Sequence, residues 1–187
     1  MEYEESNLER SSSLNIFLSN VEKRAFSMAR FAVGADDAAL DIVQDSMFDF
    51  VRLYRSKPEQ EWPPLFFKVL QSRIRDAHRR RSVLKRVQVW LGWDDRDGGA
   101  ADPLQELADP NGVSPLKHLE RSQLGRHLEQ AISVLPLRQQ QAFLLRSWEG
   151  LDVADTARAM GCSEGSVKTH YFRAVQALRG KLEEYQP

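Results

Sequence analysis

Apolar residues recur along most of this 187-residue chain at three- and four-residue steps, and that spacing confines it to helical architectures. Leu14, Phe17, Leu18, Val21, Ala25, Met28, Ala29 and Ala32 form the first run, which Gly34 stops. Leu40, Val43, Met47, Phe50, Val51 and Tyr54 form the second, closed by a polar loop from Lys57-Pro58 to Trp62. Pro63-Pro64 suits the first turn of a third helix, where a missing N–H costs nothing. That helix is expected to bury Phe66, Val69, Leu70, Ile74 and Ala77. Glycines and prolines then puncture an acidic stretch up to Leu116, which reads as a flexible linker. Its apolar start, Val89 to Trp93, is expected to pack on something. Periodicity resumes at Leu119, Leu124, Leu128, Ile132 and Leu135, stops at Pro136, and continues through Ala142, Leu145 and Trp148 to Gly150. Two further helices are expected near 153–160 and 164–184. No period-two segment of useful length and no internal repeat occurs. The expected fold is all-α: a disordered tail at 1–13, a small helical domain at 14–90, a linker at 91–117 and a second helical domain at 118–187.

Composition narrows the possible functions. A hydrophobic content of 42% excludes a disordered chain. No apolar run approaches the ~20 residues of a spanning helix, so membrane insertion is not expected. The single cysteine, Cys162, leaves no internal disulfide and no multi-thiolate metal site. The opening MEYEESNLER is acidic and unlike a signal segment, so the expected compartment is the cytoplasm. His78, His118, His127 and His170 are scattered without metal-ligand spacing, and no glycine-rich phosphate loop is present. Catalytic, cofactor and metal residues are therefore not expected. The net charge of −1 conceals strong blocks. Residues 1–51 hold 4 basic and 10 acidic side chains, 52–86 hold 11 and 3, 87–116 hold 1 and 6, and 117–187 hold 10 and 8. A basic segment between two acidic ones suits a polyanion, although a solvated helix face would show the same pattern.

The most specific local pattern lies at 152–182. Asp152 can cap a helix reading VADTARAM, Gly161 can take the left-handed conformation that ends it, and Ser163 can cap the next. Ala157, Gly161 and Val167 stand at the spacing of a helix-turn-helix: a small residue at the crossing, a glycine at the turn, a branched residue under the second helix. In that second helix Val167, Tyr171, Ala174, Leu178 and Leu182 share one face. Ser166, Thr169, His170 and Arg173 share another, flanked by Lys168. Hydroxyls and cations on a free face suit base edges and phosphates in a major groove.

These residues carry a family resemblance. Gly150-Leu151, Ala157, the run Gly161 to Thr169, Phe172-Arg173-Ala174 and Ala177-Leu178-Arg179 resemble the promoter-binding C-terminal domain of extracytoplasmic-function (ECF) bacterial sigma factors. In the other half, Asp37-Ala38, Asp41 to Asp45 and Phe48 resemble the helix by which that family grips RNA polymerase. Arg73-Ile74, Asp76 and Arg79-Arg80 resemble its helix for the minus-ten promoter element. The resemblance covers about 14–90 and 118–184, in the family's order.

The resemblance implies that Asp41, Gln44, Asp45 and Phe48, which share a helix face, meet the clamp helices of the largest polymerase core subunit. The minus-ten strand would meet Trp62, Phe67, Lys68, Gln71, Ser72, Arg75 and Arg79, where stacking can offset the cost of unstacking. Phe66 reads as core rather than platform. The minus-thirty-five element would meet Ser166, Lys168, Thr169, His170, Phe172 and Arg173. Helix 127–135 and the one after Arg138 would pack on the flap of the second large subunit. An anti-sigma factor is a further implied partner. Two positions depart from the family: Ser72 stands where many members carry asparagine, and Trp62 precedes the prolines where many carry tryptophan near Leu65. Gly165 to His170 is also similar to the DNA-binding helix of LuxR-type regulators, but residues 1–116 lack the βαβ pattern of a receiver domain.

Overall fold

A computed structural model of the chain describes residues 2–90 and 125–183, all of it helices and the turns between them. Helix α1 spans Glu2–Val33, α2 Asp36–Tyr54 and α3 Trp62–Trp90. After the undescribed stretch come α4 (125–133), α5 (Leu137–Phe143), α6 (Val153–Met160) and α7 (Glu164–Glu183). Over Leu144–Trp148 the chain after α5 widens into a π turn, with Glu149 N–H donating to Leu144 O at 3.1 Å. The expected linker, and the periodic positions Leu119 and Leu124, lie outside the described residues.

The N-terminal core is an aromatic cluster. Phe17 meets Phe50 and Trp62 with ring centroids at 5.6 Å, and Phe66 lies edge-on to Phe50 at 5.7 Å and to Phe67 at 5.4 Å. Tilted and edge-to-face rings pair the positive edge of one with the negative face of the next. Trp62 anchors the start of α3, its indole N–H donating to Lys57 O at 3.0 Å, while Pro63 and Pro64 occupy the first turn as expected. Gly34, at φ 74°, ends α1 where most residues would be strained, and Arg81 donates to the neighbouring Val33 O at 2.7 Å.

Helices α2 and α3 are clamped by charge as well. Arg73 donates from Nε to Asp49 at 3.0 Å, from Nη1 to Asp45 at 3.1 Å, and from Nη2 to Asp49 again. Hydrogen bonding to Arg73 holds the Asp49 carboxyl below its ordinary value, against the opposing effect of burial.

One expectation is corrected here. Helix α1 begins at Glu2, so it takes in residues 2–13 of the segment expected as a tail. Arg10 then reaches the Ser56 and Lys57 carbonyls at 3.3 and 3.4 Å. Leu40 is not core, being 47% exposed, because Ala39, Ile42, Val43, Ser46 and Phe50 turn inward instead. The small Ala39 and Ser46 carry no hydrophobic signal of their own. Ser46 is accommodated by donating to Ile42 O at 2.6 Å.

The two helical groups also pack on each other. Helix α6 lies against α3 and α5 approaches α1. Arg24 pairs with Glu149 at 3.2 Å, and Phe31 meets Trp148 at 6.0 Å.

Phe50→Ala, at the centre of the aromatic cluster, is expected to cost about 3–5 kcal/mol of unfolding free energy in urea titrations. The Asp49–Arg73 contribution should be complete above the unfolded aspartate value. It should fade as pH drops below about 4, since a depressed folded value loses its advantage on protonation. Comparing Asp49→Asn with wild type from pH 7 to pH 3 should therefore show a stability gap of about 1 kcal/mol at most that closes in acid.

Candidate nucleic-acid and protein interfaces

The helix-turn-helix forms as its local signals require. Asp152 accepts from the Asp155 N–H at 2.7 Å, which satisfies one of the free N–H groups at the start of α6. Gly161 ends that helix at φ 63°, ψ 47°. Ser163 Oγ accepts from the Ser166 N–H at 3.2 Å and opens α7. Val167 is buried beneath, and Ala157 lets the helices cross closely. Tyr171 stacks on Phe143 at 6.4 Å and bonds Ser147 at 3.1 Å, fixing α7 against α5.

On the opposite side of α7 the predicted residues come together. Lys168, Thr169, Phe172 and Arg173 are exposed, and Ser166 and His170 are half-buried. Thr169 donates to Gly165 O at 3.0 Å and Ser166 shares a bond with Ser163 at 2.9 Å, so both hydroxyls are already oriented by the helix. His170 Nδ1 has no partner. Burial, then Arg138 and Arg173, push its imidazole below the ordinary value, which favours the neutral ring.

The predicted minus-ten residues divide. Lys68 and Arg79 are exposed, and Ser72 and Arg75 are half-buried. Trp62, Phe67 and Gln71 are core, at 2%, 1% and 1% exposure, so the expectation that they face an extruded strand is corrected. The two rings are drawn into the aromatic cluster, and the Gln71 amide donates to Met28 Sδ at 3.7 Å. Phe66 is core, as expected.

The acidic face of α2 is open. Asp41, Gln44 and Asp45 are exposed and Phe48 is 75% exposed. Phe48 borders an apolar groove that also takes in Leu18, Met47 and Val51. The sequence reading missed this groove by assigning Leu18, Met47 and Val51 to the core. Their spacing from Phe48 and Gln44 on one helix carried the signal for the two residues of α2. Among the described residues no cluster of three or more metal-capable side chains occurs, and no helix is long and apolar enough to cross a membrane.

Comparison with known proteins matches this arrangement. Residues 126–178 fit the family described as sigma-70, region 4. The chain is 32% identical over 116 residues to the RNA polymerase sigma-E factor of Streptomyces antibioticus, across 62% of this chain and 61% of that one. It is 25% identical over 179 residues to the ECF RNA polymerase sigma-E factor of Haemophilus influenzae, across 91% of this chain and 88% of the other. In fold it is similar to CnrH in complex with the cytosolic domain of CnrY, with a TM-score of 0.56 at 14% identity over 92% of this chain and 89% of that one. It is also similar to the sigma factor RpoE in complex with the anti-sigma factor NepR from Bartonella quintana, with a TM-score of 0.53 at 20% identity over 89% of this chain and 96% of that one. The chain is thus similar to ECF sigma factors in sequence over most of its length and in fold.

Asp152→Ala is expected to lower stability by about 1 kcal/mol through the lost cap. Circular dichroism during urea titration checks this, and Asp152→Ser should recover most of the loss.

Proposed function

We propose that this chain is a dissociable, non-catalytic specificity subunit of bacterial RNA polymerase that binds the core enzyme, directs it to particular promoters and assists opening of the duplex. The observation that carries this reading is the separation of two unlike surfaces. One is the acidic face of α2 with its exposed Phe48, and the other is the polar, cationic face of α7 set on a capped helix-turn-helix.

Each surface suits its partner chemically. Asp41, Gln44, Asp45 and Phe48 offer acceptors and one ring to the basic clamp helices of the largest core subunit. Arg173 is free to pair bidentately with a guanine edge in the minus-thirty-five element, with Ser166, Lys168, Thr169, His170 and Phe172 around it. Lys68, Ser72, Arg75 and Arg79 supply cations and a hydroxyl for the minus-ten strand. Exposed Leu128 and Val134, in and just after α4, suit contact with the flap of the second large subunit. An anti-sigma factor that covers these faces would hold the chain inactive in the cytoplasm.

Run-off transcription with purified core and a promoter library tests the reading. Arg173→Ala should reduce promoter-specific product by about tenfold or more while co-purification with core is unchanged. Phe48→Ala should do the reverse, weakening core binding and leaving duplex binding by the helix-turn-helix intact. Promoter output that ignores the Arg173 change, or core binding that ignores Phe48, would contradict the assignment.

A further inference from the structure

His170 stands apart from the other polar residues on the α7 face. The Ser166 and Thr169 hydroxyls are engaged by Ser163 and by the Gly165 carbonyl, and Lys168 and Arg173 are exposed. The His170 imidazole is half-buried, and its Nδ1 is enclosed without a hydrogen-bond partner. Folded chains ordinarily pair such an atom, so an exception points to something the free protein does not supply.

The ring is held in this position by its neighbours. Tyr171, the next residue, stacks on Phe143 and bonds Ser147, which seats this turn of α7 on α5. Arg138 of α5 is near enough to act on the imidazole, and it is fixed there because it donates to Met160 O at 2.7 Å. Arg75 of α3 donates to the same oxygen at 3.2 Å, so a further cation stands behind Arg138. On α7 itself Arg173 follows one turn later on the same face. Burial first, then Arg138 and Arg173, oppose a charge on His170, and no carboxylate acts on the ring to offset them. Among the described residues neither Arg138 nor Arg173 forms an ion pair. The free chain therefore holds a neutral imidazole inside a group of cations that lacks a counter-charge of its own.

A DNA phosphate is the counter-charge that suits this group. Its oxygens would offset both guanidinium groups and accept from a ring N–H, and hydrogen bonds between charged partners are the stronger kind. We propose that His170 grips a backbone phosphate as the imidazolium, so that α7 takes up a proton when it seats on a duplex. Proton uptake rests on the assignment of α7 to the minus-thirty-five element and goes beyond it, because recognition then depends on pH. The complex binds more protons than the free partners, so affinity rises as pH falls. The rise begins near the His170 midpoint in the complex and ends below the midpoint of the free chain. A single group limits its slope to about one decade per pH unit.

Fluorescence anisotropy at constant ionic strength tests this, with a labelled duplex recovered from a random-sequence library by the full-length chain. The wild type should bind about tenfold more tightly at about pH 5.5 than at about pH 7.5. His170→Gln, which cannot take a proton, should lose that gain. His170→Arg carries a fixed charge, so it should bind at the higher pH about as tightly as the wild type does at the lower one. Proton NMR of the His170 ring in the full chain should show its titration midpoint moving upward when the duplex is added. A wild-type affinity that ignores pH, or a midpoint that the duplex does not move, overturns the proposal and leaves the α7 assignment standing. A pH gain that survives in His170→Gln places the proton on another of the 4 histidines and overturns it equally. If no duplex is recovered at either pH, the α7 assignment falls and the proton uptake with it.

Discussion

Burial of α3 is the constraint on which the remaining structure depends. Its inward row, Phe66, Phe67, Leu70, Gln71 and Ile74, is almost fully withdrawn from water and meets the rings of α1 and α2. Aromatic side chains supply most of the driving force, since each removes a large apolar area and gains further from edge-on contact. Arg73 adds a directional restraint by binding Asp45 and Asp49 together. With α3 held in this rotation, its other residues have no freedom. Lys68, Ser72 and Arg75 line a cleft shared with Asp49, Leu53 and Tyr54 of α2, and Arg75 donates to Met160 O across it.

The same rotation links the surfaces to one another. Asp45 lies on the face assigned to polymerase, yet it also accepts from Arg73 on the helix assigned to DNA. A basic partner that draws on Asp45 competes with Arg73, so engagement of α2 bears on the helix beside it. The helix-turn-helix is fixed differently, through caps at Asp152 and Ser163 and a left-handed glycine between them. The exposed face of α7 takes its shape from these local signals and not from the N-terminal half.

What was legible in the sequence follows from the range of the interactions involved. Asp152, Gly161 and Ser163 act on their own backbone within three residues, so the turn and both of its helices could be read directly. The exposed face of α7 followed from periodicity alone, because Val167, Ala174 and Leu178 fix the opposite side. The acidic face of α2 was legible for the same reason, but its apolar groove was not, since Leu18 reaches it from another helix. Trp62, Phe67 and Gln71 were misread because a basic neighbourhood resembles a binding surface until the fold shows which way the helix is turned. Leu40 was misread because Ala39 and Ser46, too small to register as apolar, take the buried positions. The Arg24–Glu149 pair and the Arg75–Met160 bond join residues remote in the chain, and no local pattern announces such a contact.

Two exposed rings make the division of labour directly measurable. Hydroxyl-radical footprinting with mass spectrometry should find Phe48 protected when polymerase core alone is added, and Phe172 protected only when promoter duplex is added as well. Protection of Phe172 by core without DNA while Phe48 stays reactive would contradict the account, as would a Phe48 ring equally reactive in the free chain and in the complete promoter complex.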